Sequence, residues 1–310
     1  MVPRNDDGGP ERDTAGRLWV VSAPLGNPDD LSPRARAVLA DADVVLAEDT
    51  RSARRLLADT VSNPSTSAPR APRADQILLS CFDANEAGRA EDAVRRVAAG
   101  QNVVLLSEAG TPLVSDPGYK VVTAVIAAGL RVQPIPGPSA VLTALVGSGQ
   151  SPDRFTFLGF PPRKGAARRK LFETVRLHPF TLILYESPLR TAETLADLMA
   201  VLGPDRPACV ARELTKTHEE FVRGPLRELH ARYRDQRPLG EITLVISGAD
   251  PAAAGADAGF SDDRLAEEAQ RLLASGRSAR DAADELAARS GRPRRQVYAI
   301  VTATASKAEG

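Results

Sequence analysis

Short apolar segments alternate with helix-like segments through the first half of the chain, and this alternation limits the possible folds more than any other feature. The apolar segments have the length of buried strands and end in turn residues. They lie at 17–24, 43–47, 77–80, 103–107 and 131–140. Helices are predicted between them, with Ser32 and Thr50 as N-terminal caps of two. This alternation predicts a largely parallel sheet with helices on both faces.

The second half of the chain has a different rhythm. Two of its predicted strands are nearly adjacent in sequence, which favours a hairpin within a mixed sheet. The strand-like segments are 155–160, 181–186, 207–213, 219–223 and 241–247, and helices fit 166–177, 188–202 and 225–234. The change of rhythm places a domain boundary near residues 137–150.

The end of the chain predicts a small helical unit. A segment rich in Gly and Ala precedes three short helices, one of which begins with a capping box of Ser278 and Asp281. Short helices with tight turns resemble a helix-turn-helix, and a packing appendage is the alternative. The predicted organisation is a disordered tail (1–15), two α/β domains (16–137 and 138–249), a linker (250–259) and a helical unit (260–305).

Composition argues against several classes of function. The formal net charge is zero, so no overall basic field points to nucleic acid. Two cysteines and three histidines show no ligand spacing, and we expect neither a disulfide nor a metal site. The polar first fifteen residues do not resemble a signal peptide, and no apolar run approaches the ~20 residues of a membrane helix. We therefore expect a cytoplasmic protein with no membrane contact.

The loops that follow the first and fourth predicted strands are stiff and acidic. Residues 22–30 read SAPLGNPDD and residues 107–119 read SEAGTPLVSDPGY. Neither contains a phosphate loop or a dinucleotide fingerprint, and prolines without an N–H and repelling carboxylates suit polyphosphate poorly. Carboxylates favour a cationic ligand instead, and the sulfonium of S-adenosylmethionine fits that description. The alternative is that Pro and Gly only shape tight strand–helix turns.

Seven segments, in order along the chain, resemble the ribosomal RNA small subunit methyltransferase I family. They are SAPLGNPDDLSPRA (22–35), AEDTR (47–51), SEAGTPLVSDPGY (107–119), PIPGPSA (134–140), YESPLR (185–190), ARELTKTHEE (211–220) and GEITLVISG (240–248). AEDTR and ARELTKT discriminate for this family, whereas PGPSA and AGTP belong to the wider tetrapyrrole methylase superfamily. Ser22-Ala23 and Glu108 stand where the family pattern is expected to have Pro-Thr and Asp.

The resemblance, which covers about 17–249, implies both a fold and an activity. The fold would be two α/β domains of tetrapyrrole-methylase type, with S-adenosylmethionine in the cleft between them, followed by the helical unit. Family members are described as methylating the ribose 2′-hydroxyl of a cytidine in the decoding region of 16S ribosomal RNA. The resemblance therefore also implies the small ribosomal subunit as partner, and a homodimer.

Matching the family's motifs onto this chain assigns the cofactor contacts. These are Pro24, Leu25, Gly110, Thr111, Val114, Asp116, Ser139, Ala140, Tyr185, Ala211, Arg212, Glu241 and Thr243. Many would be backbone contacts, and turn geometry is the alternative explanation for any one of them.

Methylation of a hydroxyl also calls for a base, because a ribose hydroxyl is a weak acid. Carboxylates at predicted strand or turn ends are the candidates: Glu48, Asp49, Asp116, Glu186 and Glu213. Glu48 is the preferred base, with Arg51 positioning a phosphate or paired to a carboxylate. An ion pair of Glu48 or Asp49 with Arg51 is the competing explanation.

The segment PPRKGAARRK at 161–170 is the strongest candidate for RNA contact, because a basic loop that runs into a helix binds phosphates well. Its cations are Arg163, Lys164, Arg168, Arg169 and Lys170. A solvated helix face is the alternative.

Two other functions compete with ribosomal RNA methylation. A precorrin-type tetrapyrrole methyltransferase of the same fold would also tolerate arginines, although AEDTR, the basic 161–170 segment and the C-terminal helices argue against it. A DNA-binding regulator would use residues 260–305. Acidic residues nearly balance the basic ones there, which weakens that hypothesis.

Overall fold

The computed structural model describes residues 16–62, 71–235, 237–250, 262–290 and 292–308. The chain divides into two units, Met1–Ala144 with Glu213–Glu220, and Leu145–Arg212 with Phe221–Gly310. The segment Glu213–Glu220 therefore returns to the first unit. The sequence pattern predicts a single boundary between the two α/β domains and does not indicate this return. The predicted tail at 1–15 and residues 251–259 of the predicted linker lie outside the described residues.

The first unit is built on five strands, β1 (Arg17–Val21), β2 (Val44–Ala47), β3 (Ile77–Ser80), β4 (Asn102–Leu106) and β5 (Arg131–Ile135). Their order is β3-β2-β4-β1-β5, and all four neighbouring pairs are parallel. Val21 at the end of β1 aligns with Leu106 and Ile135 at the ends of β4 and β5. The loops that follow these three strands therefore leave the sheet side by side.

Helices cover both faces of this sheet, as predicted. They are α1 (Pro33–Asp41), α2 (Thr50–Ser62), α3 (Glu86–Ala98) and α4 (Tyr119–Ala127), and the next helix, α5 (Ala140–Ser148), continues along the chain from the first unit into the second. One apolar cluster joins α1 and α2 to the sheet through Leu39 and Val104, and a second joins α3 and α4 through Val125 and Val103. Val103 and Val104 belong to opposite clusters because successive strand side chains point to opposite faces.

The sequence predicts the N-terminal cap of α1 correctly and that of α2 incorrectly. Ser32 Oγ accepts a hydrogen bond from Ala35 N at 3.1 Å, as expected. The prediction for Thr50 was wrong by one residue, since Asp49 Oδ1 accepts from Arg51 N at 2.7 Å. A carboxylate is stabilised at the positive end of a helix, so Asp49 holds this position.

The second unit contains a mixed sheet of β6 (Phe155–Phe157), β7 (Thr181–Glu186), β8 (Pro207–Arg212), β9 (Glu220–Pro225) and β10 (Ile242–Ile246), in the order β6-β7-β10-β8-β9. β6 is parallel to β7, whereas β10 is antiparallel to β7 and β8, which confirms the predicted mixed sheet. Helices α6 (Gly165–Thr174), α7 (Thr191–Leu202) and α8 (Leu226–Asp235) pack on it through Phe172, Leu198 and Leu229.

Three further helices, α9 (Asp262–Ala274), α10 (Ala279–Ser290) and α11 (Arg294–Ala308), share a small core that includes Leu286 and Val297. Ser278 Oγ accepts from Asp281 N at 3.1 Å and donates to Asp281 Oδ2 at 2.7 Å, as the predicted capping box requires. Arginines of this unit pair with its own carboxylates, in Arg292–Asp262, Arg294–Asp284 and Arg289–Glu268. These pairs reduce the positive charge offered to DNA.

Both cysteines, Cys81 and Cys209, are free and buried. Across the described ranges, no cluster of His, Cys, Asp and Glu has the arrangement of a metal site. Of the helices that the structure describes, none combines the length and the apolar character that crossing a membrane requires.

Candidate cofactor cradle and substrate surface

The loops after β1 and β4 are bonded directly to each other. Ala23 N donates to Gly110 O at 2.9 Å, and Gly110 N donates to Ala23 O at 3.0 Å. Ser107 Oγ also donates to Gly110 O, at 2.6 Å. Gly110 has a φ of +71°, and a Cβ there would lie 3.1 Å from Leu25 Cδ2. The close approach of the two loops therefore requires glycine at this position.

The loop after β5 joins the same assembly. Thr111 Oγ1 donates to Pro138 O at 2.9 Å, and Ser22 Oγ donates to Thr111 Oγ1 at 3.4 Å. We call these three loops, residues 22–30, 107–118 and 136–140, the cradle. It contains the first eight predicted cofactor residues: Pro24, Leu25, Gly110, Thr111, Val114, Asp116, Ser139 and Ala140.

Backbone strain is concentrated in and beside the cradle. Leu113 and Ser115, on either side of Val114, have φ values of 71° and 70°. Glu213 and Thr215, in the segment that returns to the first unit, have φ values of 52° and 65°. Such conformations cost about 1–3 kcal/mol each and cluster at ligand sites.

The returning segment Glu213–Glu220 touches the first cradle loop. Thr215 Oγ1 accepts a hydrogen bond from Asn27 N at 3.1 Å. Sequence reasoning missed Thr215, Leu113 and Ser115 as site residues, because positive φ at a residue other than glycine has no signature in composition. Glu213, one of the candidate bases, is paired to Lys216 Nζ at 3.0 Å.

Carboxylates lie both in the cradle, at Glu108 and Asp116, and beside it, at Glu48. Burial first, and then repulsion from Glu48 and Glu108, raises the pKa of Asp116 to about 7. Burial also raises the pKa of Glu48, with further contributions from Glu108 and Asp83. Mutual repulsion of this kind is relieved by a bound cation, so the group of acids favours a positively charged ligand.

Glu48 lies at the end of β2 and, together with Pro24, Ser52 and Glu108, lines a pocket of about 120 Å³. Arg51 is not its partner. The guanidinium of Arg51 binds Asp49, with NH2 at 3.0 Å from Oδ2, and this contact lowers the pKa of Asp49 to about 2. The Arg51 side chain is 83% exposed. The predicted competing ion pair therefore forms with Asp49 and leaves the Glu48 carboxylate accessible.

The remaining predicted cofactor residues belong to the second unit. Thr243 in β10 aligns with Tyr185 in β7 on one side and with Ala211 in β8 on the other. Arg212 ends β8, and Glu241 immediately precedes β10. The antiparallel register therefore gathers all five at one edge of the sheet.

Glu186, another candidate base, is buried and paired within the second unit. Its side chain is 0% exposed and pairs with Arg190 at 2.6 Å. It also accepts hydrogen bonds from Ser187 N at 2.7 Å and Thr194 Oγ1 at 2.5 Å. A carboxylate enclosed in this way has no access to substrate.

The predicted RNA-binding cations divide into two kinds. Arg163, Lys164 and Lys170 are exposed. The Arg168 side chain is only 4% exposed, and its NH2 lies 2.7 Å from Asp197 Oδ2. Arg169, 52% exposed, also contacts Asp197, at 2.9 Å. The geometry therefore makes Arg168 a link between α6 and α7, a correction to its predicted phosphate contact.

Comparison with known proteins first identifies the class of protein to which the chain belongs. A family model described as tetrapyrrole (corrin/porphyrin) methylases matches residues 17–230. The solved structure of a cobalt precorrin-4 methyltransferase from cobalamin biosynthesis has a TM-score of 0.55 and 19% identity, and the match covers 77% of this chain and 98% of that one. The fold and the family model together define a member of the tetrapyrrole methylases.

Similarity to curated proteins identifies the family within this class of methylases. Ribosomal RNA small subunit methyltransferase I of Synechocystis is 40% identical over 92% of this chain and 97% of its own length. The protein of the same name from Micromonospora olivasterospora is 43% identical over 94% of this chain and 89% of its own length. The chain belongs to the ribosomal RNA small subunit methyltransferase I family.

Proposed function

We propose that the chain transfers a methyl group from S-adenosylmethionine to the ribose 2′-hydroxyl of a cytidine in the decoding region of 16S ribosomal RNA. The observation that carries the proposal is the acid-lined cradle in a chain of this family. Its carboxylates repel one another and would be relieved by a sulfonium, whereas a polyphosphate would add to the repulsion. The relatives described above have ribosomal names, so a precorrin substrate is not favoured.

The residues present fit the cofactor. When bound, S-adenosylmethionine supplies a methyl group on a positively charged sulfur. Asp116 and Glu108 would supply negative charge to the cationic ligand, and Gly110, through its backbone bonds to Ala23, would keep the loop in place. The proposal also keeps the cofactor assignment of the second-unit residues Tyr185, Ala211, Arg212, Glu241 and Thr243.

Glu48 is the proposed base. Glu48 would accept the proton of the ribose hydroxyl during the transfer, while bound S-adenosylmethionine would supply the methyl group. The raised pKa of Glu48 brings the carboxylate closer to the pH at which a base works best. Arg51, exposed and anchored by Asp49, is proposed to position a phosphate.

The test uses small ribosomal subunits from cells that lack this protein. Purified full-length chain and labelled S-adenosylmethionine should place the label on the ribose of one cytidine of the 16S RNA, located by nuclease digestion and mass spectrometry. Label on a base, or no label on the subunit, contradicts the proposal.

A pair of variants tests the base. Glu48→Gln should lower kcat about 100-fold or more, with folding unchanged by circular dichroism. Glu91→Gln, at an exposed position of α3, is the matched control and should retain full turnover. Unchanged turnover of Glu48→Gln removes Glu48 as base while leaving the methyl transfer itself intact.

We also propose a homodimer that works in the cytoplasm, where its proposed substrate is assembled. Support comes from two large apolar side chains that α4 leaves exposed, Tyr119 and Ile126, since they lie two turns apart on one helix and a contiguous apolar patch marks an interaction surface. Light scattering should give twice the chain mass of 32.9 kDa, and a monomeric mass contradicts the dimer.

A further inference from the structure

Phe160, which follows β6 in the second unit, is a large aromatic side chain left 55% exposed. Its ring lies 5.4 Å from that of Tyr185, and Tyr185 in turn makes an edge contact at 4.9 Å with Phe157. The ring of Phe160 therefore packs against Tyr185, which is itself packed against Phe157, while more than half of Phe160 remains exposed to solvent.

The backbone on each side of Phe160 is fixed. Gly159 O accepts a hydrogen bond from Tyr185 N at 3.0 Å, and the φ of +64° at Gly159 turns the chain out of the strand. Pro161 O accepts from Arg190 NH1 at 3.2 Å. An exposed ring on a backbone held at both ends is pre-organised, which lowers the entropy cost of binding a flat partner.

The contact between Arg190 and Pro161 O is itself anchored in the core. Arg190 pairs at 2.6 Å with the fully buried Glu186, which also accepts the hydroxyl hydrogen of Thr194. The buried Glu186–Arg190 pair therefore holds the loop that presents Phe160.

Exposed cations follow the ring directly. Arg163 and Lys164 lie three and four residues after Phe160, within about 11–14 Å along the chain. Proteins that bind single-stranded nucleic acid combine these two elements, an aromatic ring on which a base stacks and cations along the phosphates.

We propose that Phe160 is a stacking platform for an unpaired base of the RNA substrate, with Arg163 and Lys164 contacting the adjoining phosphates. The inference rests on the proposed function for the presence of RNA, and it adds where a base is held. It also gives Glu186 and Arg190 a positioning role in substrate binding, because they fix the loop that carries the ring.

The test compares two replacements in the full-length chain. Phe160→Leu removes the ring and keeps an apolar side chain, whereas Phe160→Trp keeps a ring. Phe155→Leu, at the other end of β6 and also exposed, is the matched control. Fluorescence anisotropy at low salt measures the affinity for a labelled twelve-residue oligocytidine RNA and for the same ribose-phosphate chain without bases.

Phe160→Leu should bind the oligocytidine about 5- to 150-fold more weakly and the base-free chain as well as wild type does. Phe160→Trp and Phe155→Leu should bind both as wild type does. Equal affinity of Phe160→Leu and wild type for oligocytidine overturns the inference. So does an equal loss for both oligonucleotides, or a wild-type protein that does not prefer the one with bases.

Two further measurements test whether the Phe160 ring contacts the cofactor or a second copy of the chain and not RNA. Isothermal titration with S-adenosylhomocysteine should give the same Kd for Phe160→Leu and wild type, and a weaker Kd without loss of RNA affinity would assign the ring to the cofactor. Light scattering should give the same molecular mass for Phe160→Leu and for wild type. A change in mass with unchanged RNA and cofactor affinity would show that the Phe160 ring contacts a second copy of the chain. If wild type methylates small subunits while Phe160→Leu binds RNA normally, this inference fails and the proposed function stands. If wild type does not methylate them, the proposed function fails.

Discussion

Replacing Asp116 by Asn should stabilise the protein at pH 8 and have little effect at pH 4.5. Burial, and then repulsion from Glu48 and Glu108, raises the pKa of Asp116 from an ordinary 3.8 to about 7. In the unfolded chain the carboxyl ionises near its ordinary pKa. Between these values the folded chain holds a proton that the unfolded chain has lost, so the free energy of unfolding falls as pH rises through this window.

The size of the effect follows from this pKa. A tenfold change in proton affinity corresponds to about 1.4 kcal/mol, so the raised pKa carries at most about 4 kcal/mol. Asp116 is partly accessible to water, and solvent screening reduces an interaction of this kind. Asn has nearly the same shape and no charge, and we expect Asp116→Asn to raise the free energy of unfolding by about 1–2 kcal/mol at pH 8.

Urea unfolding followed by circular dichroism, at several values between pH 4.5 and 8, measures this difference. Asp59→Asn, an exposed carboxylate on α2, controls for the loss of one surface charge and should change little at any pH. A destabilised Asp116→Asn at pH 8, or a gain of the same size at every pH, would refute the reasoning.

The same ionisation should control cofactor binding. Ionised Asp116 attracts a sulfonium, so the affinity of wild type for S-adenosylmethionine should rise between pH 6 and 8. The affinity for S-adenosylhomocysteine, which lacks the positive charge, should rise much less, and Asp116→Asn should flatten the rise for the charged ligand. An identical pH profile for the two ligands would show that Asp116 does not contact the charge.

Three further predictions concern the cradle and the basic segment. Gly110→Ala should lower Tm by several degrees and weaken S-adenosylmethionine binding, since a side chain at positive φ costs about 1–2 kcal/mol; scanning fluorimetry with and without the cofactor measures both. Arg163→Ala combined with Lys164→Ala should weaken RNA binding and reduce the slope of log affinity against log salt by about 1 to 1.5, and an unchanged slope would contradict a phosphate contact. Arg168→Ala should leave that slope unchanged and instead lower the free energy of unfolding by about 2–3 kcal/mol, because Asp197 loses its buried partner.

The sequence predicts the sheets well, because each strand is a short apolar run and the β/α alternation admits few topologies. It fails where a local pattern depends on a distant partner. Arg168 resembles its neighbours in a basic run, and only folding shows that Asp197, in another helix, buries it. The strained residues Leu113 and Thr215 are likewise fixed by surrounding loops, and nothing in their identity indicates positive φ.

The zero net charge of the chain conceals two local imbalances. In the first unit, Glu108 and Asp116 in the cradle and Glu48 beside it repel one another, while in the second unit the exposed cations of residues 161–170 form a short basic surface. Exposed charges act over about 8–10 Å in physiological salt, so neutrality of the whole does not cancel either field.

A basic surface this short supplies only a few phosphate contacts, and these carry little sequence information. An RNA substrate must therefore be selected by other interactions, in particular its folded shape and its unpaired bases. The exposed ring of Phe160 is well suited to the second task, because stacking adds affinity that salt does not screen. On this argument, selectivity for the proposed RNA substrate depends more on the rigid loop around Phe160 than on the number of cations beside it.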